Sequence, residues 1–432
     1  MTGRTAHRPR YPGSGARRTT GVLAAAAACV LALAAADAQS PPRDDYAALT
    51  DTLWTVVDRM YFDPGFLGTD WAAVRQRYRE RAAQIDSPDE FHELATSMLR
   101  EIRSSHLRVR APRQVRPRSG IGARLATVDG AHVVTEVIDG SHAQRQGLRP
   151  GDRLTSPRSL LPGEPGTVVQ LEFERCSGEH ALLDVQRERL LWPPRRPYLS
   201  WSRLSGAPDL SVGLLRVTRF DDGAAALADE AMAALLDADA LVIDLRNATG
   251  GNMSALRLAS WFAPRAEPAV VLLSRQRLQA IGRSPTAADL AAMPRVDAAY
   301  TGNAVYNALE RTRGGAAFWT EQLPQRFEGP VYVLIGDNTR SAAEAFSWYM
   351  RRHTDAVLVG RPTAGSLLSA RELPIGDGWW VSVPVHGVWG PDGEAYSDRP
   401  VPPHVQTAVS REDLCDGRDL ELEAALALLA AD

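Results

Sequence analysis

The sequence predicts a multidomain α/β protein, with an N-terminal helical domain over 43–112, a β domain over 118–191 and an α/β core over 199–432. Three observations predict it. Apolar residues recur at helical spacing between Tyr46 and Leu99, short β-like runs alternate with turns between 119 and 190, and beyond Leu199 buried-strand runs alternate with helical ones. A chain of 432 residues suits two or three domains and has ample material for a core.

The first helix is carried by Tyr46, Leu49, Leu53, Val56, Val57 and Met60, and Tyr61-Phe62-Asp63-Pro64 ends it. Trp71, Val74, Tyr78, Ala82 and Ile85 mark a second. A third starts at Ser87-Pro88-Asp89-Glu90, with Ser87 as N-cap and Glu90 closing a capping box, and runs to about Arg103. The Pro- and Arg-rich stretch 111–118 reads as a linker, and so does Trp192-Pro193-Pro194. Ala131 to Val137, Val168 to Phe173 and Ala181 to Val185 are strand-like. The core predicts strands at Val212 to Val217, Ala240 to Leu245, Pro330 to Ile335 and Ala356 to Val359, and helices at Ala224 to Leu236 and Ser341 to Met350. Residues 275–327 lack a clear strand–helix rhythm and carry loop signals such as Arg313-Gly314-Gly315, which predicts a lid or insertion.

The formal net charge is −3 with the signs interspersed, and the absence of a basic stripe argues against a nucleic-acid partner. No Cys/His spacing matches a zinc site, so no metal is expected. All 49 Lys+Arg residues are arginine; the chain has no lysine. Residues 1–38 read as an export signal: Arg8, Arg10, Arg17 and Arg18 precede an apolar stretch from Gly21 to Ala35, and Ala36-Asp37-Ala38 offers a small-x-small cleavage site. The apolar run is shorter than a membrane span needs. The expectation is an exported protein, periplasmic or secreted, with no stable span after cleavage. Only Cys176 and Cys415 would then remain, and a disulfide and two buried thiols are both open.

Ser341 lies between a strand-like run with a polar turn, Gly336-Asp337-Asn338-Thr339, and an Ala-rich helix. A serine at such a turn is exposed at a helix N-terminus, where the dipole favours developing negative charge; the plainer alternative is a helix N-cap. The segment Thr339 to Phe346, TRSAAEAF, resembles the nucleophile turn of the tail-specific (C-terminal processing) serine peptidases. That resemblance spans nearly the whole mature chain and implies a crotonase-like α/β peptidase core. It implies Ser341 as nucleophile, with the amides of Gly250 or Gly251, at the end of Leu241 to Gly251, and of Ala342 as oxyanion donors. Many members of the family activate the serine with a lysine, which is impossible here. Ser366, in Gly360-Arg361-Pro362-Thr363-Ala364-Gly365-Ser366, stands where that lysine would fall. Ser104-Ser105-His106 resembles the base position of the histidine-using, tricorn-like members, which implies His106 as base and Ser105 as its orienting hydroxyl; His386 and His404 are reserves. The orienting acid of that branch precedes a Gly-Val-x-Pro-Asp run, but here the text is Tyr396-Ser397-Asp398-Arg399-Pro400-Val401-Pro402-Pro403-His404, with Ser397 at the acid's position and Asp398 one later.

Residues 119–190 resemble a PDZ domain. Gly120-Ile121-Gly122 matches its carboxylate-binding loop and Gly147 to Asp152 the turn after its first helix, while only Arg153 to Pro165 stands where a strand and the groove-walling helix belong. The resulting expectation is an exported serine endopeptidase without cofactor, acting on a peptide or protein through a Ser341 acyl-enzyme and meeting some substrates by their C-terminus. The rivals are a catalytically impaired peptide- or ligand-binding relative, motivated by the altered 396–404 segment and the shortened groove, and an esterase or acyl transferase using the same serine.

Overall fold

The computed structural model describes residues 45–112, 119–189, 198–204 and 210–431. The expected export signal and the Trp192-Pro193-Pro194 linker lie outside the described residues, and the 111–118 linker does so except for 111 and 112.

Three helices open the chain: α1 (Tyr46–Met60), α2 (Trp71–Ala82) and α3 (Pro88–Arg100). Asp45, Asp70 and Ser87 cap them by accepting first-turn amides. At α3 the expected capping box is shifted by one residue. Ser87 Oγ accepts the Glu90 amide at 3.3 Å, and the Glu90 carboxylate accepts the amide of Asp86 at 3.0 Å. Strand β1 (Arg108–Arg110) follows.

The middle segment holds β2 (Ser119–Gly120), β3 (Ala123–Val128), β4 (Ala131–Val137), a one-turn helix α4 (His142–Arg145), β5 (Arg153–Leu154), β6 (Val168–Glu174), β7 (His180–Gln186) and β8 (Glu188–Arg189). Strands β3 to β7 form an antiparallel sheet in sequence order with β3 at one end, and β2 pairs with β8. A two-residue strand and a 3-10 turn (Arg158–Leu160) occupy the shortened stretch after Asp152. Cys176, in the β6–β7 turn, forms a disulfide with Cys415.

The remainder runs β9 (Leu199–Arg203), β10 (Val212–Val217), α5 (Ala224–Leu235), β11 (Ala240–Asp244), α6 (Ser254–Ser260), β12 (Pro268–Ser274), α7 (Arg275–Ile281), α8 (Ala287–Ala291), β13 (Arg295–Val296), α9 (Gly302–Arg311), β14 (Gly315–Trp319), β15 (Val331–Ile335), α10 (Ala342–His353), β16 (Val357–Gly360), β17 (Ser369–Gly376), β18 (Trp379–Trp389), β19 (Val405–Gln406), α11 (Arg411–Cys415) and α12 (Leu420–Leu429). One sheet has the order β19-β16-β15-β11-β10-β9, parallel except for β9. The other has the order β1-β18-β12-β14-β13, with β17 added on β18.

Burial explains the layering. Val270 and Leu272 of β12 pack with Met232, Leu258 and Phe346 from α5, α6 and α10. Val271 and Leu273, on the opposite face, pack with Leu53, Phe91 and Met98 of the N-terminal helices. The N-terminal helices therefore share a core with the mixed sheet instead of enclosing one of their own, and β1 pairs with β18. This anchoring carries Ser104-Ser105-His106, just before β1, to the α/β core. The 275–327 segment, expected as a lid or insertion, contributes β14, an inner strand whose Ala316 and Phe318 are buried in the main core. That part is sheet, and its periodicity escaped notice because GAAFW offers no polar alternation when both faces are covered.

Candidate active site

Ser341 sits between β15 and α10 with φ 52° and ψ −119°. A non-glycine residue in this region is strained, and the surrounding bonds hold it there. Ser341 occupies the N-cap position, yet its carbonyl oxygen takes the first-turn amides of Glu344, at 2.8 Å, and Ala345, at 3.0 Å. Its own amide donates to Glu344 Oε2 at 2.8 Å. Glu344 is fully buried. Its carboxylate also accepts Thr363 Oγ1 at 2.6 Å, the Gly365 amide at 2.7 Å, the Ser366 amide at 2.8 Å and Ser366 Oγ at 3.3 Å. Burial pushes the Glu344 pKa up, and the donated bonds pull it back. Ser366 is thus bound to this acid. The sequence signal for this role is the spacing, a serine followed by a glutamate three residues later.

Gly250 and Gly251 follow β11 with φ 88° and 141°. A methyl on Gly250 would lie 2.6 Å from Ser341 Cβ and 3.3 Å from the Ala342 nitrogen; one on Gly251 would lie 1.7 Å from the carbonyl oxygen of Phe220. Phe220 fixes the pair: its amide donates to Gly250 O, and its carbonyl accepts the Asn252 amide, both at 2.8 Å. Among the described residues the amides of Gly250, Gly251 and Ala342 donate to no backbone oxygen. Gly250 therefore lies against Ser341 and the Ala342 nitrogen, and Gly251 lines the same cavity.

Ser341 opens into a cavity of about 960 Å³ lined by Ser104, Ser105, His106, Gly251, Ala342 and Ser366 among others. His106 is the one histidine on its wall. Its Nδ1 lies 3.0 Å from Ser105 Oγ. Burial, then Arg108 and Arg340, lower its pKa to about 4, so the imidazole is neutral at ordinary pH. Asp398 reaches this segment: Oδ2 accepts Ser104 Oγ at 2.9 Å and Oδ1 accepts the Ser105 amide at 3.1 Å. Burial raises the Asp398 pKa. Ser397 is turned away, bonded through its hydroxyl to the amide and carbonyl of Val388. Pro400 packs on Gly365, and Thr363 ties to Val401, so the 396–404 loop is fastened to the segment that Glu344 holds. Nothing in the sequence tells which of the two serines offers its hydroxyl to the acid; in the structure it is Ser104.

The reserve histidines lie elsewhere. His404 Nδ1 accepts the Leu358 amide at 3.0 Å, a structural bond. His386 is buried beside Ser369 and faces a different cavity. Gly120, Ile121 and Gly122 do not line the Ser341 cavity. Gly120 belongs to β2, Ile121 is buried, and Gly122 has φ 77° and packs against Ser141.

Residues 211–407 match peptidase family S41, and residues 42–100 match the tricorn protease C1 domain. Over 211–407 the chain carries a peptidase S41 domain, and relatives it matches are named carboxyl-terminal processing proteases. Similar relatives include the putative tricorn protease homolog 2 of Streptomyces coelicolor, 28% identical over half of this chain and 21% of that one. Carboxyl-terminal-processing peptidase 2 of Arabidopsis thaliana is 26% identical over 76% of this chain and 63% of its own. The carboxyl-terminal-processing protease of Synechocystis sp. is 24% identical over 87% and 85%. The chain thus spans less than two thirds of the first two. In fold it is similar to the photosystem II D1 C-terminal processing protease, with a TM-score of 0.54 and 19% identity over 90% of this chain and 98% of that one, and to mature CPAF, with 0.66 and 14% over the same shares. No helix among the described residues is long and apolar enough to cross a membrane.

Proposed function

We propose that this chain is a serine endopeptidase in which Ser341 attacks the scissile carbonyl and His106 serves as its base. The supporting observation is the shared cavity: His106 is the histidine on the wall that also holds Ser341, and the chain has no lysine to take its place. With Nδ1–H donating to Ser105 Oγ, Nε2 is left to accept the Ser341 proton. As the Oγ–C bond forms, the carbonyl oxygen becomes an oxyanion held by the amides of Gly250 or Gly251 and Ala342. His106 returns the proton to the leaving amine as the C–N bond breaks, then deprotonates the water that hydrolyses the acyl-enzyme. Ser105 and Asp398 are positioning residues: Asp398 holds Ser104 and Ser105, and Ser105 holds His106.

The impaired-relative alternative drew on the altered 396–404 segment. Asp398 still meets the Ser104–Ser105 pair, which weakens that motive. The five-stranded sheet is read as PDZ-like, with β3 as the edge able to take a substrate C-terminus. Export is supported by the Cys176–Cys415 disulfide, which suits an oxidising compartment.

Labelling with a fluorophosphonate probe tests the reading. The wild type should label, and Ser341→Ala and His106→Ala should not. Full labelling of His106→Ala would refute the histidine-base assignment.

A further inference from the structure

The chain as a whole carries a net charge of −3, yet the wall around Ser341 is basic. It holds Arg100, Arg108, Arg219 and Arg340 against one acid, Glu372, which is already drawn to Arg108 at 3.7 Å and Arg110 at 3.3 Å. Among the described residues Arg100, Arg219 and Arg340 form no ion pair with a carboxylate. They come from three separate places. Arg340 directly precedes Ser341. Arg219 directly precedes Phe220, which fixes the glycine pair. Arg100 ends α3.

The basic lining continues past Tyr306. That residue is shared with a second cavity of about 400 Å³, whose wall carries Arg59, Arg275, Arg313 and Arg371 with Glu310 as its single acid. Arg371 lies over the Tyr306 ring at 5.3 Å. Arg275 donates to the carbonyls of Tyr61 and Asp63, whereas Arg59, Arg313 and Arg371 have no carboxylate partner among the described residues.

We propose that these two neighbouring basic cavities, which share Tyr306 as a wall, together select acidic peptides, seating Asp and Glu side chains on both sides of the scissile bond against Arg219, Arg340 and, further out, Arg59 and Arg371. Unpaired guanidiniums in a concave wall focus their field and raise the local concentration of anions. Each can also take a carboxylate by two parallel hydrogen bonds, while a lysine- or arginine-bearing peptide meets like charge. A cavity enclosing a nucleophile turn fits an extended chain of a few residues, which favours peptide over a bulkier polyanion.

This substrate class rests on the reading of Ser341 as nucleophile, and the test separates the two. Binding of three matched peptides, with Asp/Glu, Gln/Asn or Lys/Arg flanking the central bond, is measured by fluorescence anisotropy on Ser341→Ala, where no turnover is needed. The acidic peptide should bind at least about tenfold tighter than the basic one, with an advantage that shrinks as salt shortens the Debye length. The double variant Arg219→Gln/Arg371→Gln, made on the Ser341→Ala protein, should lose most of that preference while its melting temperature stays unchanged. Equal affinities for the three peptides, or a preference undiminished in a folded double variant, overturns the proposal. Absent wild-type labelling instead overturns the nucleophile reading and leaves the binding result to stand on its own.

Discussion

The carboxylate of Glu344 accepts the backbone amide of Ser341 at 2.8 Å, and through its other oxygen holds Thr363 and Gly365. It gathers the nucleophile turn and the loop behind it onto one buried group. All of its partners are used as donors, so Glu344→Gln would place an amide N–H₂ against N–H or O–H groups. The expected cost is about 1–3 kcal/mol of stability, because buried donors lose their acceptor. Labelling should fall further than stability, since the Ser341 φ of 52° depends on this anchor. Thermal unfolding and probe labelling read the two effects; an unchanged melting temperature would show that the turn does not need this acid.

The pH profile follows from His106. Its pKa of about 4 means that labelling should persist well below pH 6.5 and be half lost near pH 4. Arg108 contributes to the depression, because a cation disfavours the imidazolium. Arg108→Gln should therefore move the acid limb to higher pH. Stability carries the same sign. His106 and His386 are both lowered to about 4 in the fold, so the unfolded chain binds more protons between pH 6.5 and 4. Both contributions are complete above pH 6.5 and are lost as pH falls through that window. An acid limb of labelling at pH 6.5 or above would contradict the assignment.

Asp398 and Ser105 should behave as positioning groups. Asp398→Asn removes one acceptor from the Ser104 and Ser105 pair, and Ser105→Ala removes the hydroxyl 3.0 Å from Nδ1. Each should lower the labelling rate by about 10–10⁴-fold, the scale on which misoriented triads lose activity. Ser397→Ala should leave the rate unchanged, because its hydroxyl serves the Val388 backbone. A Ser397 effect equal to that of Asp398 would reverse the two roles.

Local patterns made the elements legible: the Ser87 cap of α3, the apolar runs of β11 and β15, and the serine turn all follow from residues close in sequence. The meeting of Ser104 with Asp398 does not, since 294 residues separate them and no propensity encodes their register. Strand β14 was hidden because both its faces are covered. His106 is named in the sequence by motif alone. That it lines the same cavity as Ser341 depends on contacts such as the pairing of β1 with β18, between the first and last thirds of the chain.

The Cys176–Cys415 disulfide closes a separation of 239 residues. Reduction, or Cys176→Ser/Cys415→Ser, should cost roughly 2–4 kcal/mol. It should not release the middle sheet, because Arg411 still donates to Gly151, Glu174 and Arg175. Melting curves with and without reductant test this: the wild type should shift and the double variant should not.

The two glycines beside the nucleophile should fail in different ways. A methyl on Gly250 meets the Ser341 side chain and the Arg340 carbonyl at 2.6 and 2.8 Å, and φ is 88°. The nearest atom belongs to Ser341, the proposed nucleophile, so Gly250→Ala should displace it and abolish labelling in a protein that still folds. A methyl on Gly251 falls 1.7 Å from the Phe220 carbonyl oxygen, which is backbone and part of the bridge that fixes the turn. Gly251→Ala must break that bridge, so it should lower the melting temperature as well as labelling. Wild-type labelling of Gly250→Ala would show that the turn adjusts without moving Ser341, and would remove Gly250 from the oxyanion site.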